Sequence, residues 1–176
     1  MEQPLYNLVA RQRVEREYQS LIHSEEGLGL TTYSPLAEGI LAGRYLDKGK
    51  VAKGSRAEFK KFLLEKESEL ELARQLKPLA MRLGVSLAQL ALAWTLRNQD
   101  VSSVIMGASR AEQVIDNVKA VALVAPGGLL TDEVLAQMEK LAASFAPTED
   151  RIKKPISENL AKHRGPYHGG KRRVEL

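Results

Sequence analysis

Apolar positions along this chain switch between the period of strands and the period of helices. Leu5, Tyr6, Leu8 and Val9 make a short β-compatible segment that reads as the end of a strand. Val14, Tyr18, Leu21 and Ile22 then recur at helical spacing, with Arg11, Arg13, Glu15, Arg16 and Glu17 on the other side, until Gly27 and Gly29 intervene. A strand is predicted at 28–33, ended by Ser34-Pro35, followed by a long loop from Pro35 to Arg56. A helical pattern covers Glu58 to Leu83, with a break or restart expected at Pro78. Ser86 and Gln89 have capping-box spacing ahead of an apolar helix through Leu87, Leu90, Ala91, Trp94 and Leu96. Ser102 to Met106 reads as a second strand, ended by Gly107. Ser109 and Glu112 form a second predicted capping box, opening a helix whose buried face would be Val114, Ile115, Val118 and Val121. Thr131 caps a last helix carrying Val134, Leu135, Met138 and Leu141. Beyond Pro147 the periodicity fades, which divides the chain into a body at 1–146 and a Pro/Gly-containing tail at 147–176, extended or mobile.

Strands alternating with helices predict an α/β fold with a parallel sheet and right-handed crossovers. Two full strands and one partial strand are too few to close a barrel. Parallel strands are expected to be buried on both faces, so something should cover the free edge of this sheet.

Charge redraws the outline of the tail. The chain carries 26 Lys/Arg and 22 Asp/Glu, yet residues 151–176 hold eight of the basic residues and only two of the acidic ones. The body is slightly acidic, and the excess belongs to a solvated tail, so no nucleic-acid partner is expected. There is no cysteine, which excludes disulfides and thiolate metal sites and fits a reducing cytoplasm. No secretory leader and no membrane-spanning run is legible. His23 reads as a surface residue, and His163 and His168 lack partners at metal-ligand spacing.

The chemistry begins at Val101–Ala120. A strand, a glycine and a helix start present backbone N–H groups, the positive end of a helix dipole and the Arg110 guanidinium, which together suit an anion, most often phosphate. No G-x-G-x-x-G is present to support a Rossmann site. Taken alone, Ser109-x-x-Glu112 is also an ordinary helix cap, and Arg44 and Arg56 are also ordinary loop charges.

Four ordered motifs carry a resemblance. They are Thr32-Tyr33-Ser34-Pro35-Leu36-Ala37-Glu38-Gly39 through Tyr45, Gly54-Ser55-Arg56, Leu87 through Trp94, and Val104-Ile105-Met106-Gly107-Ala108-Ser109 through Asn117. From Gln3 to about Ala143 the chain resembles the C-terminal half of an aldo-keto reductase, in the branch that includes the potassium-channel β-subunits. The resemblance implies about strands 6–8 of a (β/α)8 TIM barrel, a fold of about 250 residues that is incomplete in this chain alone. It implies NADP(H) bound at the C-terminal ends of the strands. Gln3 would meet the carboxamide, and Tyr33 would stack on the nicotinamide. Ser34, Pro35, Leu36 and Ala37 would line the pyrophosphate, while Arg44, Ser55 and Arg56 would belong to a loop over the cofactor. Gly107, Ser109, Arg110, Gln113, Asp116 and Asn117 would hold the adenosine and its 2′-phosphate.

The family's catalytic Asp, Tyr, Lys and His come from the first half of the barrel, and no residue here matches them. The resemblance therefore implies the cofactor-binding part of an oxidoreductase, inactive by itself and completed by a chain supplying the other half. The competing expectation is a non-catalytic nucleotide-binding or interaction module that self-associates through its open edge.

Overall fold

The computed structural model describes residues 1–25, 27–47 and 55–146. The tail at 147–176 and the loop positions Gly49, Lys50, Lys53 and Gly54 lie outside the described residues. Two strands, β1 (Leu30–Tyr33) and β2 (Val101–Ile105), pair in parallel, with Thr31 opposite Ser103 and Tyr33 opposite Ile105. The N-terminal segment runs parallel along the other edge of β1. It bridges at Glu2–Leu30 and Leu5–Tyr33, with Thr31 N–H donating to Glu2 O and Tyr33 N–H to Pro4 O. β1 is thus hydrogen-bonded on both edges, as expected for a parallel strand whose Leu30 and Thr32 are fully buried.

The helices are α1 (Gln19–Ile22), α2 (Arg56–Phe59), α3 (Glu67–Arg82), α4 (Leu87–Leu96), α5 (Ala111–Val118), α6 (Ala120–Val124) and α7 (Asp132–Leu141). α4 is the centre. It is buried almost all round, packing Leu90 and Trp94 into the main core with Leu8, Ile40, Leu76 and Met138, while Leu92 and Ala93 pack on Ala120 and Leu123 of α6. Its capping box forms as predicted. Gln89 N–H donates to Ser86 Oγ and Ser86 N–H donates to Gln89 Oε1, each at 3.1 Å. Thr131 also caps as predicted, accepting from Val134 N–H.

Four expectations are corrected. Pro78 does not break its helix; it lies inside α3 on the exposed side, and the interruption falls earlier, at Lys60–Lys66. Burial of Leu70, Leu72, Ala73, Leu76, Leu79 and Ala80 along one side carries the helix through the proline. Part of the loop expected at 35–56 is ordered as two short turns within Ala37–Ala42, kinked at Glu38 and Gly39 and ended by Gly43 in the left-handed region (φ 73°). β2 is not covered on both faces, for Ser102, Ser103 and Ile105 are exposed and its outer edge has no partner among the described residues.

The apolar face expected to be buried on α5 and the start of α6 instead points outward. Val114, Ile115, Val118 and Val121 are exposed, at 43%, 65%, 53% and 56%, and the inward positions are Gln113, Asp116, Asn117, Ala120 and Leu123. The polar side turns inward because it has partners there. Ser86 Oγ donates to Asp116 Oδ2 at 3.0 Å, and Gln89 Nε2 donates to Asp116 Oδ1 at 2.7 Å.

A polar knot closes the opposite side of the core. Arg11, almost fully buried, pairs with Glu15 (3.0 Å) and Glu139 (2.7 Å). Glu139 also accepts from Trp94 Nε1 (2.9 Å) and Arg97 (3.0 Å), and both guanidinium groups lie over the Trp94 ring. Burial pushes the neighbouring Tyr6 phenol up. Trp94 is therefore core, as expected, and His23 is a surface residue.

Candidate functional site

The C-terminal ends of β1 and β2 open onto a cleft of about 610 Å³ between the turn after β1, Arg56 and the start of α5. Its size is within the range of small-molecule sites, roughly 300–1,000 Å³. The turn after β1 is built from unusual backbone. Ser34 (φ 55°), Ala37 (φ 46°) and Glu38 (φ 58°) all lie in the left-handed region without being glycine, and Gly39 follows at φ 105°. Two side chains hold this shape. Asn7 Nδ2 donates to Ser34 O at 2.8 Å, and the Tyr45 hydroxyl donates to Glu38 O at 2.9 Å. Gly39 is required as well as permitted, since a Cβ there would stand 3.0 Å from the Tyr45 hydroxyl.

Three arginines line the cleft, Arg44, Arg56 and Arg110, and so do three carboxylates, Glu38, Glu112 and Asp116. They are not equivalent. Glu38 takes Lys60 at 2.6 Å and Arg56 at 3.3 Å. The Lys60 ammonium first, and Arg56 with it, holds the Glu38 carboxyl below the usual carboxylate range against the opposing effect of burial. Asp116 is held by Ser86 and Gln89. Arg44, Arg110 and Glu112 have no ion pair among the described residues.

The predicted capping box at Ser109–Glu112 is not formed. Arg110 is the N-cap residue, with extended backbone and no side-chain cap. Gln113 closes the turn instead, its Oε1 accepting from Ser109 N–H at 2.8 Å and Ser109 Oγ at 3.2 Å.

Eleven of the fifteen residues expected at the site line this one cleft: Ser34, Pro35, Leu36, Arg44, Arg56, Gly107, Ser109, Arg110, Gln113, Asp116 and Asn117. Four do not. Gln3 and Tyr33 border a second cleft of about 480 Å³ beside the N-terminal segment. Ala37 belongs to the left-handed turn without lining the cleft. Ser55 is buried, its Oγ lacking a hydrogen-bond partner among the described residues. Sequence reasoning missed Glu38, Ser86 and Asn7. Asn7 had a signal, because its Oδ1 accepts from Val9 and Ala10 N–H in the side-chain turn that asparagine favours. The spacing of Ser86 signals only a helix cap, and Glu38 stands inside a motif without a signal of its own.

Among the described residues no cluster of His, Asp or Glu is arranged to hold a metal ion, and no single helix is long and apolar enough to cross a membrane.

A family model described as the aldo/keto reductase family matches residues 1–143. The chain belongs to the aldo/keto reductase family. Among its curated relatives are a probable voltage-gated potassium channel subunit beta of Oryza sativa subsp. japonica and another of Arabidopsis thaliana. Each is 44% identical over 154 residues, covering 82% of this chain and 44% of the relative. A putative voltage-gated potassium channel subunit beta of Schizosaccharomyces pombe is 37% identical over 155 residues, covering 84% of this chain and 43% of the relative. This aldo/keto reductase chain therefore spans less than half the length of those relatives. The family is built on a (β/α)8 barrel, and the described residues are α/β with a two-stranded parallel sheet.

Proposed function

We propose that the chain is the NADP(H)-binding part of an aldo/keto reductase, corresponding to about strands 6–8 and their helices from the C-terminal half of the barrel. The observation that carries this is the convergence on one cleft of the turn after β1, Arg44, Arg56 and the start of α5. The residues fit a phosphorylated dinucleotide. Arg44 and Arg110 offer always-charged planar donors with no ion pair among the described residues. Bound there, a nicotinamide group would supply or accept the hydride of a carbonyl–alcohol interconversion. The chain's own contribution is to bind and orient. Arg44, Arg56 and Arg110 meet phosphate charge, the left-handed turn after β1 presents backbone groups, and Gln113 with Ser109 fixes the start of α5.

No residue of this chain matches the family's Asp, Tyr, Lys and His, so proton transfer to a carbonyl needs groups from elsewhere. The expected partner is a polypeptide supplying the rest of the barrel. The expected compartment is the cytoplasm.

Titration of the purified 176-residue chain with NADPH, followed by Trp94 and tyrosine fluorescence, tests the reading. Saturable binding that weakens in Arg110→Ala is expected, and absence of any change at millimolar NADPH refutes it. The same chain is expected not to turn over a generic aldehyde, and turnover would show that the catalytic groups are present after all.

A second reading is a non-catalytic module that associates with itself. The exposed row Val114, Ile115, Val118, Val121 and the edge of β2 that is unpaired among the described residues favour it. Sedimentation tests that association. A concentration-dependent dimer abolished by Ile115→Lys supports the module, and a monomer at all concentrations removes it.

A further inference from the structure

The cleft has three arginines, and one of them is already taken. The Glu38 carboxylate accepts from Arg56 Nη1 at 3.3 Å and from Lys60 Nζ at 2.6 Å, while Arg44 and Arg110 have no ion pair among the described residues. Glu38 is the inner member of this trio. Its side chain is 24% exposed, against 62% for Arg56 and 47% for Lys60. The carboxylate is fixed by the backbone beneath it, where the Tyr45 hydroxyl holds Glu38 O and Gly39 allows Tyr45 its close approach. The two cations are on exposed, flexible side chains. An anion entering the cleft therefore meets a seated carboxylate bonded to a movable guanidinium.

The geometry points to Glu38 as an internal counter-anion that withholds Arg56 from the cleft, so that a phosphate-bearing ligand gains the third arginine only by displacing it. This inference rests on the dinucleotide reading above and adds a determinant of affinity that opposes binding. Glu38 sets how much anionic charge a ligand must bring. A ligand with several phosphates can compete for Arg56, whereas a singly charged one is left with Arg44 and Arg110.

The contrast with Glu112 makes the claim specific. Glu112 lines the same cleft and bears the same charge, yet among the described residues it holds no arginine. Removing either charge lowers the general repulsion of an anion, but only removal of Glu38 frees a guanidinium.

The test is isothermal titration of the full chain with NADP⁺, comparing wild type, Glu38→Gln, Glu112→Gln, Arg56→Gln and the Glu38→Gln/Arg56→Gln double variant. Glu38→Gln is expected to tighten binding by about tenfold and Glu112→Gln by about twofold or less, both effects shrinking with added salt. In the Arg56→Gln background the gain from Glu38→Gln is expected to fall below about threefold. Glu38→Asn gives an independent check on folding, because asparagine tolerates the left-handed backbone and is too short to reach Arg56. It should reproduce the gain. Equal tightening by Glu112→Gln, or no tightening by either Glu38 variant, overturns the inference while leaving the dinucleotide reading intact. No NADP⁺ binding by any variant refutes both.

Discussion

Glu139→Ala should be the most damaging single change on the exterior of this fold. Glu139 lies on α7, about one-third exposed, yet it serves three donors that cannot easily find another acceptor. Arg11 is almost fully buried and would keep only Glu15, on the other side of its guanidinium. Breaking a buried pair by removing one partner costs about 3–5 kcal/mol. Partial exposure of Glu139 and the surviving Glu15 pair reduce that to about 2 kcal/mol. The Trp94 indole N–H, on a fully buried residue, adds about 1 kcal/mol when it loses its acceptor. The expected loss is therefore about 3 kcal/mol, read as a shift in the urea midpoint. Trp94 is the only tryptophan in the chain, so its fluorescence reports the site as well as the unfolding. The second arm is Arg11→Met/Glu139→Ala. Removing the stranded charge should restore part of the stability, making the double variant more stable than Glu139→Ala. A loss below about 1 kcal/mol in the single variant, or strictly additive losses in the double, would refute the view that Glu139 neutralises a buried arginine.

Four further outcomes are expected. Burial raises the Glu139 carboxyl, but hydrogen bonds from Trp94 and Arg11 and the arginine charges outweigh it, and the folded pKa is below the ordinary 4.5. The stabilisation from this carboxylate is thus fully present above 4.5 and lost as pH falls through the folded value, so thermal melts should show wild type losing more stability than Glu139→Ala on acidification below about pH 4.5. Ser86→Ala removes both the cap of α4 and a bond to Asp116, and should cost about 1–2 kcal/mol by denaturation while increasing hydrogen exchange at the start of α5. Pro78→Ala restores a helical N–H on the exposed side of α3 and should raise stability by about 1–3 kcal/mol; no gain would mean that α3 is already distorted to suit the proline. Gly39→Ala forces a side chain into φ 105° and against Tyr45, and should lower the melting temperature as well as the affinity for NADPH.

What the sequence disclosed depended on how local each cause was. Ser86 and Gln89 satisfy each other within one helical turn, so their cap was readable from spacing. Ser109 and Glu112 have the same spacing, but the extended backbone of Arg110 moved the helix start by one residue and gave the turn to Gln113. Pro78 looked like a break because a propensity of about 3 kcal/mol speaks loudly in one dimension; six buried residues answered it in three. The inverted face of α5 was beyond reading from periodicity. Four apolar residues at helical spacing announce a face that wants burial without saying whether this chain supplies the cover. The pairing of Glu38 with Lys60 joins positions 22 apart in sequence across a loop, a distance at which charge patterns carry no information. The cleft itself was legible through family motifs, and its electrostatic balance was not.

The turn after β1 stores strain in its backbone. Ser34, Ala37 and Glu38 each occupy backbone that costs about 1 kcal/mol for a residue with a Cβ, and Asn7 and Tyr45 hold them there. Glycine at any of the three would relax the turn and widen its range of shapes. Selection for thermal tolerance alone would therefore find this stretch early and loosen the mouth of the cleft in doing so. The strain marks where durability and recognition pull the sequence in opposite directions.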